Sequence, residues 1–550
     1  MTPRDLIAAF KVVSEAQEGV TRLRELVLQL AVRGQLVPQN EGEEPADSLL
    51  ERLRAHRTQL IKSKAIKKPK KVPPVAAAPL PFQVPPTWSW ARFVDVANIA
   101  SNLVKPAKYP SAPHIAPNNI EKATGRLLPY QTVAEDGVRS AKHRFRAGQI
   151  LYSKIRPNLS KVITVDFEGL CSADMYPIDP WIDRRYLHAY MLSMAFLEQA
   201  TDDDNRLAMP KVNQEQLSAV MVAVPPLLEQ KRIVAKVDEL MGLLDRLEAA
   251  RDSRESTRLA LRNAALAALQ YADSAEEVEV AWQRIAERMD DLFTDPADVE
   301  PLRQTVLQLA VRGRLVRQAE GDEPASVLLE QLAADKAQLV AAKKIKRPKR
   351  VPAVSDDAVP FALPQSWAWA RFVAVANIAS NLVKPGEHSS KPHIAPNNIE
   401  KGTGRLLPYQ TVGDDGVTSS KHWFTAGQIL YSKIRPNLSK VVTIDFDGLC
   451  SADMYPIDAW IDRDYLQAYM LSGAFLEQVT GDDNRLAMPK VNQEQLSRVM
   501  VAVPPLAEQR RIVIKLGELV GLLDRLAERL EDTKNLHRAF AAAAVHHLEA

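Results

Sequence analysis

The richest candidate for chemistry is the run SKIRPNLSK at residues 153–161, which returns unchanged at 432–440. It places Lys154, Arg156 and Lys161 around a Pro-Asn turn at a strand end, with Asn158 in the turn and Ser153 and Ser160 beside it. Lys433, Arg435, Asn437 and Lys440 are the matching set. Cations of this kind bind phosphate oxygens, and amide or hydroxyl groups between them reach base edges. A solvated hairpin is the plain alternative. A second polar run, APNNIEKATGRL at 116–127, offers Asn118, Asn119 and Lys122, matched by Asn397, Asn398 and Lys401. Asn pairs bidentately with adenine, and it also builds turns for local reasons. A third run, DNRLAMPKVNQ at 204–214, offers Arg206 and Lys211, matched by Arg485 and Lys490. Finally, Lys67, Lys68, Lys70 and Lys71 in IKKPKKVPP, with Lys346, Arg347, Lys349 and Arg350 in IKRPKRVPA, either touch phosphate without reading sequence or decorate a solvated linker.

Catalytic patterns do not emerge. No G-x-x-x-x-G-K-[ST] loop is present to cradle a nucleotide, and no Gly-rich loop follows a strand. VPPTW at 84–88 lacks the polar residue with which an amine-methylating Asp/Asn-Pro-Pro-aromatic run holds its target. Ten histidines include no pair at metal spacing except His546 and His547, which are adjacent and read as solvated tail residues. His114 and His393, in APHIAPNN and KPHIAPNN, have no acidic partner at a visible spacing, so a structural or nucleic-acid role is expected of them before a catalytic one. The expectation is a non-enzymatic chain that binds no metal and no cofactor of its own.

The elements that position these residues are duplicated. The sequence repeats at an offset of 279, with about 120 identities over the 147 positions that pair 88–234 with 367–513. A period this long is a copied domain with its connecting helix, since solenoid units run to about 20–50 residues. Each copy starts with a helical lead-in, LRELVLQLAVRGQLV or LRQTVLQLAVRGRLV, whose Gly34 or Gly313 suits a helix C-cap. A short helix and the basic, proline-rich link follow; the prolines argue for extended chain. In the large domain, 148–155, 161–167 and 220–225 read as strands, and 184–200 reads as one amphipathic helix, giving an α+β domain. After PP, residues from 227 and from 506 form long helices, with Glu229 and Glu508 in the first turn where the helix dipole favours them. Val237, Leu240, Leu244 and Leu247, like Leu516, Leu519, Leu523 and Leu526, have coiled-coil spacing. About 40 residues make a rod of roughly 60 Å. Two such rods packed antiparallel hold equal domains apart as a pseudo-twofold object, which matches the dyad of duplex DNA.

Other bounds are mild. A net charge of +3 over 550 residues does not announce a nucleic-acid partner; only local clustering can. Cys171 and Cys450 are repeat equivalents, read as buried apolar residues of a reducing compartment. No apolar run reaches membrane-span length, and the N-terminal sequence lacks a signal-peptide layout, so a cytoplasmic chain with no membrane partner is expected.

On three motifs, each present twice, the chain resembles the specificity subunit of type I restriction–modification systems. They are LVLQLAVRGQLVPQ and TVLQLAVRGRLVRQ, ILYSKIRPNLSKV in both copies, and AVPPLLEQKRIV and AVPPLAEQRRIV. The resemblance implies two target-recognition domains separated by long antiparallel coiled-coil helices. Residues 1–75 would be a helical region with the basic linker, and 76–224 the first recognition domain. Residues 225–352 would hold the central helices, linker and second lead-in, 353–503 the second recognition domain, and 504–550 the C-terminal helix. The implied partners are double-stranded DNA, two methyltransferase subunits and restriction/translocase subunits. S-adenosylmethionine is expected on the methyltransferase partner. Family members usually carry dissimilar recognition domains, whereas these are near-copies, so inverted and near-palindromic half-sites around an unread spacer are expected. Methylation would fall on an adenine of each half-site. The competing reading is a protein-interaction scaffold, with two binding domains on a helical spacer and no DNA role.

Overall fold

The structure, a computed structural model, describes residues 19–77, 79–201, 211–345, 347, 350–354, 359–481 and 490–549. Arg206 and Arg485 lie outside the described residues, as do Lys346 and Lys349 of the second basic link. Two compact units divide the chain, one of residues up to Ser253 together with those from Leu536, the other Arg254–Asn535. The division falls within each of two 44-residue helices, Leu227–Gln270 and Leu506–Glu549. At 1.5 Å per residue each is about 66 Å long.

In the first unit, helices α1 (Gly19–Val32) and α2 (Ala46–Lys62) precede the large domain. Among the described residues its eleven strands form three sheets. β1 (Ser89–Arg92) pairs antiparallel with β11 (Met221–Val224), so the first and last strands of the domain close on each other. A four-stranded sheet has the order β2 (Ala97–Ile99), β10 (Met175–Pro180), β7 (Ile150–Ser153), β8 (Val162–Thr164). A five-stranded sheet has the order β3 (Leu103–Val104), β6 (Lys142–Phe145), β9 (Gly169–Cys171), β4 (Pro113–Ile115), β5 (Gln131–Thr132). Helices α3 (Arg184–Leu192), α4 (Met194–Thr201) and α5 (Gln214–Ala219) lead to β11 and then to the long helix α6 (Leu227–Gln270).

Side-chain alternation explains the layering. β7 is buried along its whole length because its two faces serve two cores. Ile150 and Tyr152 join the large helical core, as do Val162 and Ile178 from its neighbours. Leu151 points the other way, with Ile163, Met175, Phe145 and Cys171, into a small core between the two sheets. Both cysteines are free and buried, and burial pushes each thiol pKa far up, as expected of apolar packing residues. The second unit repeats the three sheets in the same strand order and the same pair of cores.

The lead-in helix and the long helix meet at a buried carboxylate. Glu229, 1% exposed, accepts hydrogen bonds from Trp88 Nε1 at 3.1 Å and Gln39 Nε2 at 2.7 Å. Next to it, Gln230 accepts from the Asp183 backbone N–H at 2.8 Å and donates to the Pro225 carbonyl at 2.8 Å, while Asp183 itself caps α3. Tyr186 and Tyr190 of α3 donate to the Ala223 and Met221 carbonyls of β11. Glu508, Trp367, Gln318 and Gln509 repeat the arrangement in the second unit. The dipole reading of Glu229 is therefore incomplete: it sits in the first turn, but burial raises its pKa and the two N–H donors hold it. Gly34 ends the lead-in at φ +73°, and a Cβ there would stand 2.5 Å from Pro85 Cγ, against the same Trp88.

One expectation is revised, and two gain their contacts. Residues 184–200 are two helices, because Ser193 is extended (ψ 157°) and its hydroxyl donates to the Tyr190 carbonyl. The seam residues Val237, Leu240 and Leu244 are buried in one core with Leu23, Leu26 and Leu30 of the lead-in, so this part of the stripe is filled within the unit. The basic link is pinned by Arg92, which donates to the carbonyls of Pro73, Pro74 and Ala219, and Lys70 pairs with Glu215 at 2.9 Å.

Glu229→Ala strands the buried Trp88 indole N–H and is expected to cost about 1–3 kcal/mol. Gly34→Ala, strained and crowded, is expected to cost about 2 kcal/mol or more; chemical denaturation of each variant measures both. His188 supplies a pH test. Burial pushes its pKa down to about 4, while its Nε2 meets the Val162 carbonyl. With the folded pKa below the unfolded one, the unfolded state takes up the proton first. Stability is thus retained above pH 6.5 and lost as pH falls toward 4, by up to about 3 kcal/mol. The second unit has Gln467 there, which does not titrate. His188→Gln is expected to match wild type at pH 7.5 and exceed its melting temperature at pH 4.5.

Candidate nucleic-acid interface

The turn at 153–161 is the hub of the polar loops. Pro157–Leu159 form a single 3-10 turn with left-handed residues at both ends, Arg156 at φ +48° and Ser160 at φ +43°. Arg435 and Ser439 repeat this at +48° and +44°. A non-glycine residue in that region costs about 1–2 kcal/mol, so the surroundings must impose it. They do so through backbone bonds from Leu159 to Arg156, Ser160 to Pro157 and Ser153 to Lys161. The consequence is that Arg156 and Asn158 project into solvent.

The structure brings the described parts of all three predicted runs together. On one side, the Ala123 N–H donates to the Leu159 carbonyl, and Lys161 Nζ donates to the Pro117 carbonyl. On the other, Lys211 forms a β-bridge with Ile155, and the Val212 N–H donates to the Lys154 carbonyl at 2.8 Å. The second domain repeats three of these links, Lys440 to Pro396, Ile434 with Lys490, and Val491 to Lys433, while Gly402 donates to the Ser439 carbonyl, one residue beyond the counterpart of Leu159. Arg206 and Arg485 fall outside the described residues, so their place relative to this cluster is not part of the geometry.

Within the cluster the residues divide by role. Lys154 is half-buried, its ammonium 5.3 Å above the Tyr176 ring, as Lys433 is 5.2 Å above Tyr455. Lys161 clips two loops together; burial and then the nearby Arg156 charge lower its pKa. Lys440 is lowered by burial alone. Asn119 is fully engaged, accepting from the Ala116 N–H at 2.9 Å and donating to the Pro129 carbonyl at 2.8 Å, and Asn398 does likewise. These three in each domain are positioning groups. Arg156, Asn158, Asn118 and Lys122 are exposed, as are Arg435, Asn437, Asn397 and Lys401, and none has a side-chain partner among the described residues. Lys211 is exposed with Asp174 3.8 Å away, and Lys490 with Asp453 at 3.4 Å. Among the described residues Lys154, Arg156, Lys161 and Lys211 thus stand together with Asp174 beside Lys211, while Glu121 and, on the long helix, Asp245 and Glu248 line the groove on the other side of Asn158. Burial, and then the Lys154 charge, lowers the pKa of His143, as burial and Lys433 lower that of His422.

Sequence reasoning missed an acid. His114 Nδ1 lies 2.6 Å from Asp136 Oδ2, and His393 from Asp415 likewise. The 22-residue separation gives no spacing signal; a loop fold, with the Ala134 N–H on the Pro110 carbonyl, delivers the partner. His114 is 5% exposed and its Nε2 bonds nothing among the described residues, so the pair has no nucleophile to activate and no route to DNA. Of the two roles left open, the structural one fits. No cluster of metal ligands occurs among the described residues, and no described helix is long and apolar enough to cross a membrane.

The chain is similar to known proteins along nearly its whole length. The family described as type I restriction modification DNA specificity domain matches residues 87–253. Over 95% of its length the chain is 30% identical to the type I restriction enzyme EcoEI specificity subunit of Escherichia coli, covering 93% of that protein. It is 29% identical, with the same coverage, to the EcoAI specificity subunit of Escherichia coli. A 165-residue stretch is 50% identical to the EcoDI specificity subunit of that organism, covering 30% of this chain and 37% of that one. The fold is like that of one chain in a solved structure described as the basis of complex assembly and conformational transition of the type I R-M system. There the TM-score is 0.51 at 18% identity, over 85% of this chain and 98% of that one. The chain belongs to the specificity subunits of type I restriction–modification systems.

Proposed function

We propose that this subunit is the non-catalytic reader of a bipartite DNA target. Each domain applies its strained turn to one half-site. Arg156 and Asn158, with Asn118, Lys122 and Lys211 around them, face the duplex in the first domain. Arg435, Asn437, Asn397, Lys401 and Lys490 do so in the second. Guanidinium and amide groups contact base edges, and the lysines contact phosphates. The helices hold two methyltransferase subunits and the restriction/translocase subunits in register with the half-sites. S-adenosylmethionine belongs to the methyltransferase partner, which methylates an adenine flipped from the stack. Because the contact residues are the same in both domains, the half-sites match and lie inverted about a gap.

One observation carries the reading: separate polar loops converge on one strained turn whose exposed Arg and Asn have no side-chain partner among the described residues, and they do so twice with the same residues. Arg156 gives a test that separates function from folding. Glycine tolerates φ +48°, so Arg156→Gly and Arg435→Gly are expected to leave stability unchanged or raise it by up to about 1 kcal/mol. Both are expected to weaken duplex binding by about tenfold or more and to reduce its salt dependence. Thermal denaturation beside a salt series of duplex binding reads the two effects. Unaltered binding in the double variant would remove this turn from the interface.

A further inference from the structure

The two domains are not identical, and their differences are not scattered. Of 26 substitutions between 88–234 and 367–513, 12 fall in the 40 positions 107–146. The reading-loop residues are untouched by them, save Ala123, which is Gly402 in the second copy. In space, several of the changed positions meet. In the first domain the Arg144 guanidinium lies 5.7 Å over the Tyr109 ring and pairs with Glu168 at 3.0 Å. Arg144 stands in register with Leu170 on the face of the five-stranded sheet that carries His114. Lys108 and Arg146 are exposed beside these partners in sequence, and Arg139 is exposed on the loop that enters β6.

The second domain has rebuilt the spot around an aromatic residue. Trp423 replaces Arg144 and packs on His388 at 5.0 Å, with Lys391 Nζ 5.8 Å from its ring. Asp447, the counterpart of Glu168, accepts from the Ala426 N–H at 2.8 Å. Lys108, Arg139 and Arg146 become Glu387, Thr418 and Thr425. The first patch therefore holds four cations and one carboxylate, net +3; the second holds one cation and two carboxylates, net −1.

This patch is continuous with the reading loops. Asn119 grips the Pro129 carbonyl, Tyr130 stacks on Phe167 at 5.5 Å, and Glu168 reaches Arg144. We propose that Lys108, Arg139, Arg144 and Arg146 form a phosphate anchor beside the first reading loop that the second domain lacks. The two domains then grip DNA unequally while reading the same bases. The proposal rests on the DNA-reading function above. Four cations with no acceptor of their own suit the phosphate backbone, where charge is neutralised without sequence being read. Stacking on Tyr109 pre-sets the Arg144 guanidinium, which limits the entropy lost on contact.

Reciprocal transplants test this, because each domain already folds with its own set. Residues 107–112, 139, 144 and 146 are exchanged for their second-domain counterparts in the full chain, copurified with its partner subunits; the reverse exchange is made in the second domain. Affinity for a fluorescent duplex of about 40 base pairs is measured across a salt series. The forward transplant is expected to lower the log–log salt slope by about 3 and affinity at ~150 mM salt by about tenfold or more; the reverse transplant is expected to raise both. Slopes that match wild type in both directions overturn the anchor. So does a transplant that changes subunit assembly at an unchanged slope, which would assign the patch to a protein partner. Arg156→Gly is run in parallel: if it weakens binding while the transplants do nothing, DNA reading stands and the anchor alone falls. If the wild-type complex shows no salt-dependent duplex binding, both fall.

Discussion

Glu229 and Glu508 are carboxylates placed where water does not reach, and a buried carboxylate must find donors or cost several kcal/mol. Each finds an indole N–H and a Gln amide, and each such pair comes from a different part of its unit. Gln39 and Gln318 follow the lead-in helix, Trp88 and Trp367 open the sheet domain, and the glutamates begin the long helix. Three elements are therefore fixed at one atom pair. The neighbouring glutamines extend the lock to the cap of the next helix, and the glycines that end the lead-ins let Pro85 and Pro364 close over the indoles. The conserved-looking strings of the repeat are this junction seen in sequence: one string supplies the Gly and Gln, the other the Glu and Gln.

A fixed junction matters because the reading turn is strained. Arg156 and Ser160 hold left-handed backbone with ordinary side chains, and only a stiff frame keeps them there. The frame is the doubly buried strand β7, pinned on one face by the helical core and on the other by the core between the sheets. Lys161 and Asn119, which sequence alone placed among the contact residues, belong to this frame, since their polar atoms tie the loops to one another. What is left exposed is a compact set of cations and amides, Arg156, Asn158, Asn118, Lys122 and Lys211, with Asp174 beside the last.

Much of this was legible in the residues, for identifiable reasons. The strands at 150–153, 162–164 and 221–224 are continuous apolar or β-branched runs, buried along nearly their whole length, and such runs read as core strands. The repeat pointed to the same loops twice. Other features carry no local signal. The break at Ser193 interrupts a helical periodicity that continues on both sides of it. The five-stranded sheet is built from strands of two to four residues, several containing Pro or His, too short for alternation to register. Asp136 reaches His114 through a loop fold, and Glu229 reads as a dipole residue until its burial is known. The substitutions at 107–112 and at 144 look independent in the sequence; only the contact of Arg144 with Tyr109, and of Trp423 with His388, shows that they changed together.

The central claim is that one rigid reading head, used twice with the same contact residues, sets a target made of two equal halves. Single-molecule methylome sequencing of cells expressing the complete system tests it most directly. The account predicts methylated adenines in a gapped motif whose two halves are inverted copies of each other around a spacer of fixed length and free sequence. A contiguous motif, or two halves of unrelated sequence, would contradict it.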